Sequence, residues 1–256
     1  MTEPSLRQLL AVAVEVAREG GRRTLAHFQS GGPVDTKSDG TPVTRADREA
    51  EAAMRARIAR MFPDHAILGE EEGESGGRAP WRWIIDPLDG TRTFVRGVPL
   101  FGTLVGIERG DDPVVGVIHL PALDETVAAA RGEGCTWNGR RCRVSAVARL
   151  DDALLVVTEE RAARARSAAY ERLATRTAMQ RTWADCYGYA LVATGRADVA
   201  LDPAMNVWDC AALLPVIEEA GGRFTDWRGR RTIRGGEAVA TNGALHDETL
   251  RLLVEP

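Results

Sequence analysis

The 256-residue sequence predicts a mixed fold, with helices and a large antiparallel sheet first and an alternating α/β half second. Two observations support this prediction. Apolar stretches before about residue 150 follow one another at short, turn-like intervals, which is typical of a meander. From residue 151 onwards, strand-like and helix-like stretches alternate. We therefore divide the chain into 1–150, which carries the sheet, and 151–256, the α/β half.

The first part begins with two amphipathic helices. Ser5 is the predicted N-cap of the first helix, and Gly20-Gly21 are expected to bend or end it. A short strand over 33–37 and a turn follow. Thr44 to Asp47 has the pattern of a capping box with Asp in place of Glu, and Pro63 ends the second helix. The apolar faces consist of Leu6, Leu9, Leu10, Ala13 and Ala17 in the first helix, and of Ala50, Met54, Ile58 and Met61 in the second.

A buried strand stands at the centre of this part. Trp83 to Asp86 is apolar and β-branched, and Pro87 is expected to end the strand because it has no N–H to donate. Asp89-Gly90-Thr91 then turns the chain, and a short helix is predicted from Thr93. A short strand over 66–68, leading into an acidic run, and an exposed loop over 74–79 come before it.

The remaining elements belong either to the antiparallel meander or to the alternating α/β half. Strands of the meander are predicted over 100–107, 114–119 and 126–130, with a hairpin turn at Asn138-Gly139. In the second half, strands are predicted over 154–157, 179–182 and 198–201, and helices over 161–175, 186–194 and 245–253. Another helix is expected to begin after Asn206 and to end at Gly221-Gly222.

Composition limits the possible partners. The net charge is −4 and no basic block is present, which argues against nucleic acid as a partner. No stretch approaches the roughly 20 apolar residues of a membrane span. Four cysteines without metal-ligand spacing indicate free thiols and a cytoplasmic location. Lys37 is the only lysine among 33 basic residues, which suggests a position where a compact ammonium is needed.

The end of the central strand carries acidic residues that a purely structural strand does not need. Asp86 and Asp89 lie three residues apart at its mouth, and two buried carboxylates are costly unless a cation lies between them. The N–H groups of Gly90 and Thr91 would lie where a phosphate binds well. A divalent metal with a phosphate uses both features. The alternative is an ordinary Asp-Gly turn in which Asp86 caps the turn.

Acids also stand at three other predicted element ends, and each has a structural alternative. Asp47 completes the capping box, Glu70 and Glu71 belong to a run that could be a solvated loop, and Asp209 suits the start of a helix. Together with Asp86 and Asp89 they predict a shared site with oxygen ligands, which suits Mg²⁺. No nucleophile motif accompanies them, so metal-activated water is the expected attacking group.

These residues resemble a known family. The matching stretches are Gly69-Glu70-Glu71, Asp86-Pro87-Leu88-Asp89-Gly90-Thr91 and Trp208-Asp209-Cys210-Ala211-Ala212. They are similar, in the same order, to the three motifs of the inositol monophosphatase superfamily, and Lys37 with Thr44 to Asp47 is similar to its N-terminal element. The resemblance runs from about residue 5 to residue 252. It implies a layered α/β/α/β/α sandwich, a homodimer, and two or three Mg²⁺ in each active site.

The resemblance also implies roles for individual residues. Thr91, paired with Asp47, would orient the attacking water, and Gly90 and Thr91 would hold the phosphate. Glu71 would support a more weakly held metal, and Lys37 would belong to the same catalytic element. The implied metal ligands are Glu70, Asp86, Leu88 through its carbonyl, Asp89 and Asp209.

The stretch Arg181 to Tyr189 bears on the substrate. Inositol phosphatases typically carry Gly-Ser/Thr-Ala where this chain has Ala184-Asp185-Cys186, and an acid there suits a cationic substrate. The stretch is similar to that of the histidinol-phosphatases of the superfamily, whose substrate carries an ammonium, an imidazole and a phosphate. Arg181, Asp185, Asp202 and Asp209 are thus expected to contact the substrate. The structural alternative is that Asp185 caps the following helix.

Three functions are therefore considered. The leading prediction is a Mg²⁺-dependent histidinol-phosphatase that acts on a small phosphate ester in histidine biosynthesis. The second is a phosphatase for inositol 1-phosphate or another sugar or nucleotide phosphate. The third is a non-catalytic protein that binds metal and regulates a partner, although a scaffold gains nothing from clustered acids.

Overall fold

The computed structural model describes residues 3–36, 40, 42–78, 80–183 and 185–254. The helices are α1 (Leu6–His27), α2 (Arg45–Met61), α3 (Thr91–Val95), α4 (Glu160–Arg166), α5 (Ala169–Arg176), α6 (Cys186–Ala193), α7 (Val207–Glu219) and α8 (His246–Val254). The strands before residue 150 are β1 (Val34–Thr36), β2 (Pro42–Thr44), β3 (Ala66–Gly69), β4 (Gly73–Ser75), β5 (Trp81–Asp89), β6 (Gly102–Arg109), β7 (Asp112–Leu120), β8 (Glu125–Ala130), β9 (Gly134–Trp137) and β10 (Arg140–Arg141). The later strands are β11 (Leu154–Val157), β12 (Met179–Arg181), β13 (Val199–Asp202), β14 (Arg223–Thr225) and β15 (Ala238–Thr241).

Two large sheets organise these elements. The first has eight strands in the order β10-β9-β8-β7-β6-β5-β3-β4 and is antiparallel except where β3 runs parallel to β5. The second has five strands in the order β12-β11-β13-β15-β14, with β11 parallel to both β12 and β13. A small pair, β1 and β2, stands beside them. The division of the chain into domains at residue 150 stays a prediction.

The helices and sheets stack in five layers. Successive side chains of a strand point to opposite faces of its sheet, so each sheet can pack against helices on both faces. Helices α1 and α2 pack on one face of the eight-stranded sheet through a core that includes Leu9, Met54 and Val105. Helices α6 and α7 lie between the two sheets, where Ile84 and Val156 contribute to one shared core. Helices α5 and α8 cover the outer face of the second sheet, together with α4. The expected α/β/α/β/α sandwich is confirmed.

The glycine pair Gly20-Gly21 lies at a closely packed position within α1. The helix does not end there but continues to His27, so the expectation of a helix end was wrong. A Cβ at Gly20 would lie 2.6 Å from Met54 Sδ, and a Cβ at Gly21 would lie 2.5 Å from the His119 ring. The two glycines therefore allow α1 to approach α2 and the sheet closely.

Other local predictions needed correction. Strand β5 does not end at Asp86 but resumes at Asp89, which pairs with Gly102 after a bulge. Part of the expected loop over 74–79 forms β4, and the expected helix over 161–175 is interrupted at Ser167-Ala168. Met61 is half exposed rather than buried.

Most of the remaining elements match the prediction. Ser5 is the N-cap of α1, and the predicted capping box at Thr44 is present. Asn138-Gly139 forms the two-residue turn between β9 and β10, with positive φ at both residues. Within the described residues, we find no helix with the length and apolar character needed to cross a bilayer.

Candidate active site

Three carboxylates from the two halves of the chain meet at one point. Asp86 and Asp89 flank the bulge in β5, and Asp209 lies in the first turn of α7. One oxygen of each lies within 4.8 Å of an oxygen of the other two. Asp209 is held there by the capping box, because the backbone N–H of Asn206 donates to its Oδ2 at 2.6 Å. A strand bulge and a helix start thus bring together acids that are far apart in sequence.

The surroundings of these acids disfavour negative charge. Burial raises the pKa of Asp86 and of Asp89 well above the usual range, and neighbouring carboxylates raise both further. Burial also raises the pKa of Asp209 to about 7, with Glu70 among the charges that add to the effect. Carboxylates this close need a cation to stay ionised at neutral pH. The oxygen-only donor set fits Mg²⁺ better than a softer metal.

The other predicted ligands line the same cleft. Glu70, at the turn after β3, and Leu88, in the bulge, both face a cavity of about 140 Å³ that contains the three aspartates. Leu88 donates its N–H to Asp86 Oδ1 at 2.9 Å, which fixes the bulge. Glu71 is the next residue of the turn. The N–H of Glu71 donates to Glu51.

Thr91 and Asp47 lie at the edge of this cleft. The Thr91 hydroxyl is 3.3 Å from Asp47 Oδ1 and 2.9 Å from the Leu88 carbonyl oxygen, so it can donate to either acceptor. Asp47 is itself fixed, since its Oδ2 accepts the Thr44 N–H and hydroxyl at 2.7 and 2.6 Å. Burial raises the pKa of Asp47. The capping box of α2 therefore also holds a carboxylate close to the predicted metal ligands.

Sequence reasoning missed the residues that support the Glu70 turn. Glu51 is fully buried, and its carboxylate accepts the N–H groups of Glu71 and Glu72 at 2.8 and 2.9 Å. Arg55, one helical turn later, donates to Glu51 at 2.8 Å and to the Gly73 carbonyl oxygen. The available signal was that Glu51 shares the buried face of α2, where a charged residue needs a specific partner.

Asp185 connects this cleft to a second, larger one. Its carboxylate accepts the Thr93 hydroxyl at 3.2 Å, and a Cβ on Gly90 would lie 3.1 Å from its Oδ2. Asp185 and Asp89 line both the small cleft and an adjoining cavity of about 540 Å³. The side chain therefore lies between the predicted phosphate position and the space beyond it.

The larger cavity is acidic. Asp202 and Glu159 line it, in addition to Asp89, Asp185 and Asp209. Burial raises the pKa of Asp202 to about 7 and also raises the pKa of Asp185. Thr158, a residue that the sequence did not single out, donates its N–H to Asp202 and accepts the Asp185 N–H through its hydroxyl. Among the described residues that line this cavity, Arg92 is the one with a cationic side chain.

Arg181, a predicted substrate contact, does not line either cleft. Arg181 is exposed, its Nη1 donates to the carbonyl oxygen of Gln180, and its guanidinium lies 5.7 Å from the centre of the Trp183 ring. Lys37 lies outside the described residues. The Asp185 side chain makes no hydrogen bond that caps α6, which removes the support for a capping role.

Comparison with known proteins agrees with the motif assignment. The model of the inositol monophosphatase family matches residues 5–255. A histidinol-phosphatase from Chlorobaculum parvum is 43% identical over 240 residues, which cover 92% of this chain and 93% of that protein. A histidinol-phosphatase from Mycobacterium tuberculosis is 44% identical over 228 residues, with coverage of 86% and 87%.

A solved structure also matches the whole fold. The extragenic suppressor protein suhB from Bartonella henselae superposes with a TM-score of 0.90 at 30% identity. The match covers 96% of this chain and 98% of that one. The five-layer arrangement is therefore a fold that this chain shares with that protein.

Proposed function

The chain belongs to the inositol monophosphatase family and is a phosphatase, and on this basis we propose that it is a Mg²⁺-dependent histidinol-phosphatase. The reaction is the hydrolysis of L-histidinol phosphate to L-histidinol and phosphate, a step of histidine biosynthesis. The observation that carries the proposal is the acidic cavity that adjoins the carboxylate cluster at Asp185. An inositol leaving group is neutral, whereas histidinol carries an ammonium that this cavity suits.

The carboxylate cluster is the proposed Mg²⁺ site. Its ligands would be Glu70, Asp86, Asp89, Asp209 and the Leu88 carbonyl oxygen. Bound Mg²⁺, as two or three ions, would stabilise negative charge on the phosphate oxygens and lower the pKa of a bound water. The clustered, buried acids support this assignment, because removal of their mutual repulsion requires a cation of high charge density.

The chain itself orients the attacking water. We propose that the Thr91 hydroxyl accepts a hydrogen bond from the water while it donates to Asp47, whose carboxylate is fixed by Thr44. The backbone N–H groups of Gly90 and Thr91 would hold the phosphate at the turn. This arrangement needs no covalent intermediate on the protein.

The leaving group would occupy the larger cavity. Asp185 lies beside Gly90 at the predicted phosphate position and would pair with the ammonium, whereas Asp202 lines only the larger cavity. Both carboxylates carry raised pKa values, so a cationic ligand would favour their ionised forms. Charge complementarity of this kind discriminates between substrates that share a phosphate.

A substrate comparison tests the proposal. Phosphate release is measured with histidinol phosphate and inositol 1-phosphate, using wild type and Asp185→Asn, which keeps shape but removes the charge. We expect kcat/KM for histidinol phosphate to fall about tenfold or more, since about 1.4 kcal/mol corresponds to a factor of ten. Hydrolysis of inositol 1-phosphate should barely change.

The outcome separates the two candidate substrates. An unchanged ratio between them would make Asp185 a structural residue and favour the inositol phosphatase. Absence of hydrolysis for both, with Mg²⁺ present, would contradict the histidinol-phosphatase proposal and favour another sugar or nucleotide phosphate as the substrate. Asp202→Asn should act in the same direction as Asp185→Asn but less strongly, because Asp202 lies further from the predicted phosphate position.

We also propose that the enzyme is a cytoplasmic homodimer. Strand β12 forms one edge of the second sheet, and the apolar side chains of Met179 in this strand and of Trp183, two residues after it, are each 42% exposed. Such an edge favours pairing with another chain. The four free cysteines support a reducing compartment. Sedimentation of wild type and Trp183→Ser tests the dimer, and a monomeric wild-type protein would contradict it.

A further inference from the structure

Two cysteines lie side by side at the free edge of the eight-stranded sheet. Cys135 belongs to β9, and Cys142 follows β10 directly. Their Sγ atoms are 3.5 Å apart, and the Cys142 N–H donates to the Cys135 carbonyl oxygen at 3.1 Å. The register of the β9–β10 hairpin places these two residues opposite each other. The site lies outside the proposed active site and plays no part in the function proposed above.

The backbone geometry suits a bond between the two sulfur atoms. Directly opposed residues that share a hydrogen bond on antiparallel strands have Cα atoms about 5.5 Å apart. A disulfide needs a Cα separation of about 4.4 to 6.8 Å. The sulfur atoms can therefore reach bonding distance by side-chain rotation, while the hairpin keeps its register.

The two thiols differ in access and in acidity. Cys142 is partly exposed, whereas Cys135 is 1% exposed. The contact between the two thiols lowers the pKa of Cys142, burial opposes this, and the nearby Arg196 guanidinium lowers the pKa further. The hydrogen bond to Cys142 and burial raise the pKa of Cys135. An accessible thiol that ionises readily is the one that attacks, and its buried neighbour is placed to react second.

We propose that Cys135 and Cys142 form a reversible dithiol–disulfide pair that exchanges with small disulfides. The Cys142 thiolate attacks one sulfur of glutathione disulfide, forms a mixed disulfide and releases one glutathione. Cys135 then attacks the Cys142 sulfur and releases the second glutathione. Two S–H bonds are lost from the protein, one S–S bond forms, and the glutathione disulfide is reduced to two thiols.

The remaining cysteines serve as an internal reference. Cys186 and Cys210 are each 2% exposed, and neither has a thiol partner among the described contacts. They should keep their thiols while the pair reacts. The oxidised hairpin should also raise the melting temperature by a few degrees, because an added cross-link restricts the unfolded chain.

The experiment maps the bond in the full-length folded protein. Reduced protein is treated with glutathione disulfide, blocked with an alkylating agent and digested with trypsin, which cleaves after Arg131, Arg140, Arg141 and Arg143. We expect peptide 132–140 linked to peptide 142–143, and alkylated Cys186 and Cys210. Reduction before blocking should abolish the linked peptide.

Two serine variants test the order of attack. In Cys135→Ser, glutathione should stay attached to Cys142 because the second thiol is missing. In Cys142→Ser, modification should be at least about tenfold slower, since Cys135 is buried. Four alkylated thiols in treated wild type, a link between other cysteines, or faster modification of Cys142→Ser than of Cys135→Ser would each overturn the proposal. Phosphate release is not the readout, so a wrong substrate assignment does not affect the result.

Discussion

Asp185 has a backbone conformation that residues other than glycine rarely adopt. Its φ is 49° and its ψ is −154°, and such conformations cost of order 1–3 kcal/mol. Its carboxylate is also placed where burial raises its pKa. The chain thus holds a strained, partly desolvated acid between its two clefts. Such strain persists where the surrounding structure and function require it.

Replacement by glycine should separate stability from specificity. Asp185→Gly should raise the unfolding free energy by about 1 kcal/mol, because relief of strain outweighs the added freedom of the unfolded chain. The backbone bonds of residue 185 to Thr158 and Gly188 can remain. The same change should reduce kcat/KM for histidinol phosphate. Thermal melting and phosphate release measure the two effects.

Asp124→Gly is the matched control. Asp124 also has a positive φ, at 52°, in the turn before β8, where it lies outside the residues lining either cleft. Its conformation is one that Asp tolerates, so stability should change little and activity should not change. A destabilised Asp185→Gly would mean that the side-chain contact with Thr93 outweighs the strain.

The Thr91 hydroxyl tests the proposed orientation of water. Thr91→Ala should lower kcat at least about tenfold and leave KM nearly unchanged, because the water is oriented mainly in the transition state. Steady-state kinetics at saturating Mg²⁺ measures both constants. Thr175→Ala, on the exposed side of α5, serves as a control for loss of a threonine hydroxyl. A trapped phosphorylated side chain would contradict direct attack by water.

At the scale of elements, local sequence signals predicted some features of the site and fold, whereas features that depend on tertiary contacts were missed. Asp86, Asp89 and Asp209 were predictable because a strand end and a helix start carry local signals. Gly20-Gly21 carried the signal of a helix end, yet the helix continues through them, and a Cβ at either position would collide with Met54 or His119. The supporting role of Glu51 depends on a turn twenty residues away, and no local pattern reports such a contact.

Two glycines in the eight-stranded sheet set the position of α7. Gly106 and Gly116 pair across β6 and β7, and together they form a groove under the helix. A Cβ at Gly106 would lie 2.6 Å from the backbone carbonyl carbon of Ala211, and a Cβ at Gly116 would meet the Ala212 carbonyl oxygen. The same helix carries Asp209, so the depth of this groove helps to set the geometry of the acid cluster.

Gly106→Ala should therefore weaken metal binding from a distance. The added methyl group should push α7 outward and destabilise the protein by about 1–3 kcal/mol. The Mg²⁺ concentration that gives half-maximal activity should rise several-fold, because Asp209 moves relative to Asp86 and Asp89. Gly32→Ala is the control, since its nearest neighbour would be Ser30 Oγ at 3.8 Å. Lower stability with unchanged Mg²⁺ dependence would limit Gly106 to a packing role.

At the scale of the whole molecule, the acid cluster joins the two halves of the chain. Asp86 and Asp89 come from the first sheet, and Asp209 comes from the helix between the sheets. A second link lies away from the cluster, where buried Glu108 pairs with Arg82 and Arg234. Without metal, repulsion among the clustered carboxylates disfavours the packing of the two halves against each other. The ion pairs of Glu108 favour the same packing. Metal binding should therefore act on the stability of the entire fold.

The pH dependence of melting should reveal this effect. Burial raises the pKa of Asp209 from its ordinary 3.8 to about 7, so the folded chelated protein holds a proton that the unfolded chain releases. Its unfolding free energy should then fall as pH rises from about 4 through 7. Burial lowers the pKa of His119 and of His246 to about 4, which reduces stability only below about pH 6.5. Between pH 6.5 and 8 the acids should therefore determine how the unfolding free energy changes with pH.

The melting temperature in chelator should accordingly decrease from pH 6.5 to pH 8, and saturating Mg²⁺ should remove most of that decrease. Mg²⁺ binds the ionised acids of the folded state, so its stabilising effect should be larger at pH 8 than at pH 6.5. Asp209→Asn should flatten the profile in chelator and reduce the gain from Mg²⁺. Asp112→Asn, which removes the charge of a partly exposed acid paired with Arg131, should do neither. A chelated wild type that melts higher at pH 8, or an equal gain from Mg²⁺ in Asp209→Asn, would show that these carboxylates are not the metal site.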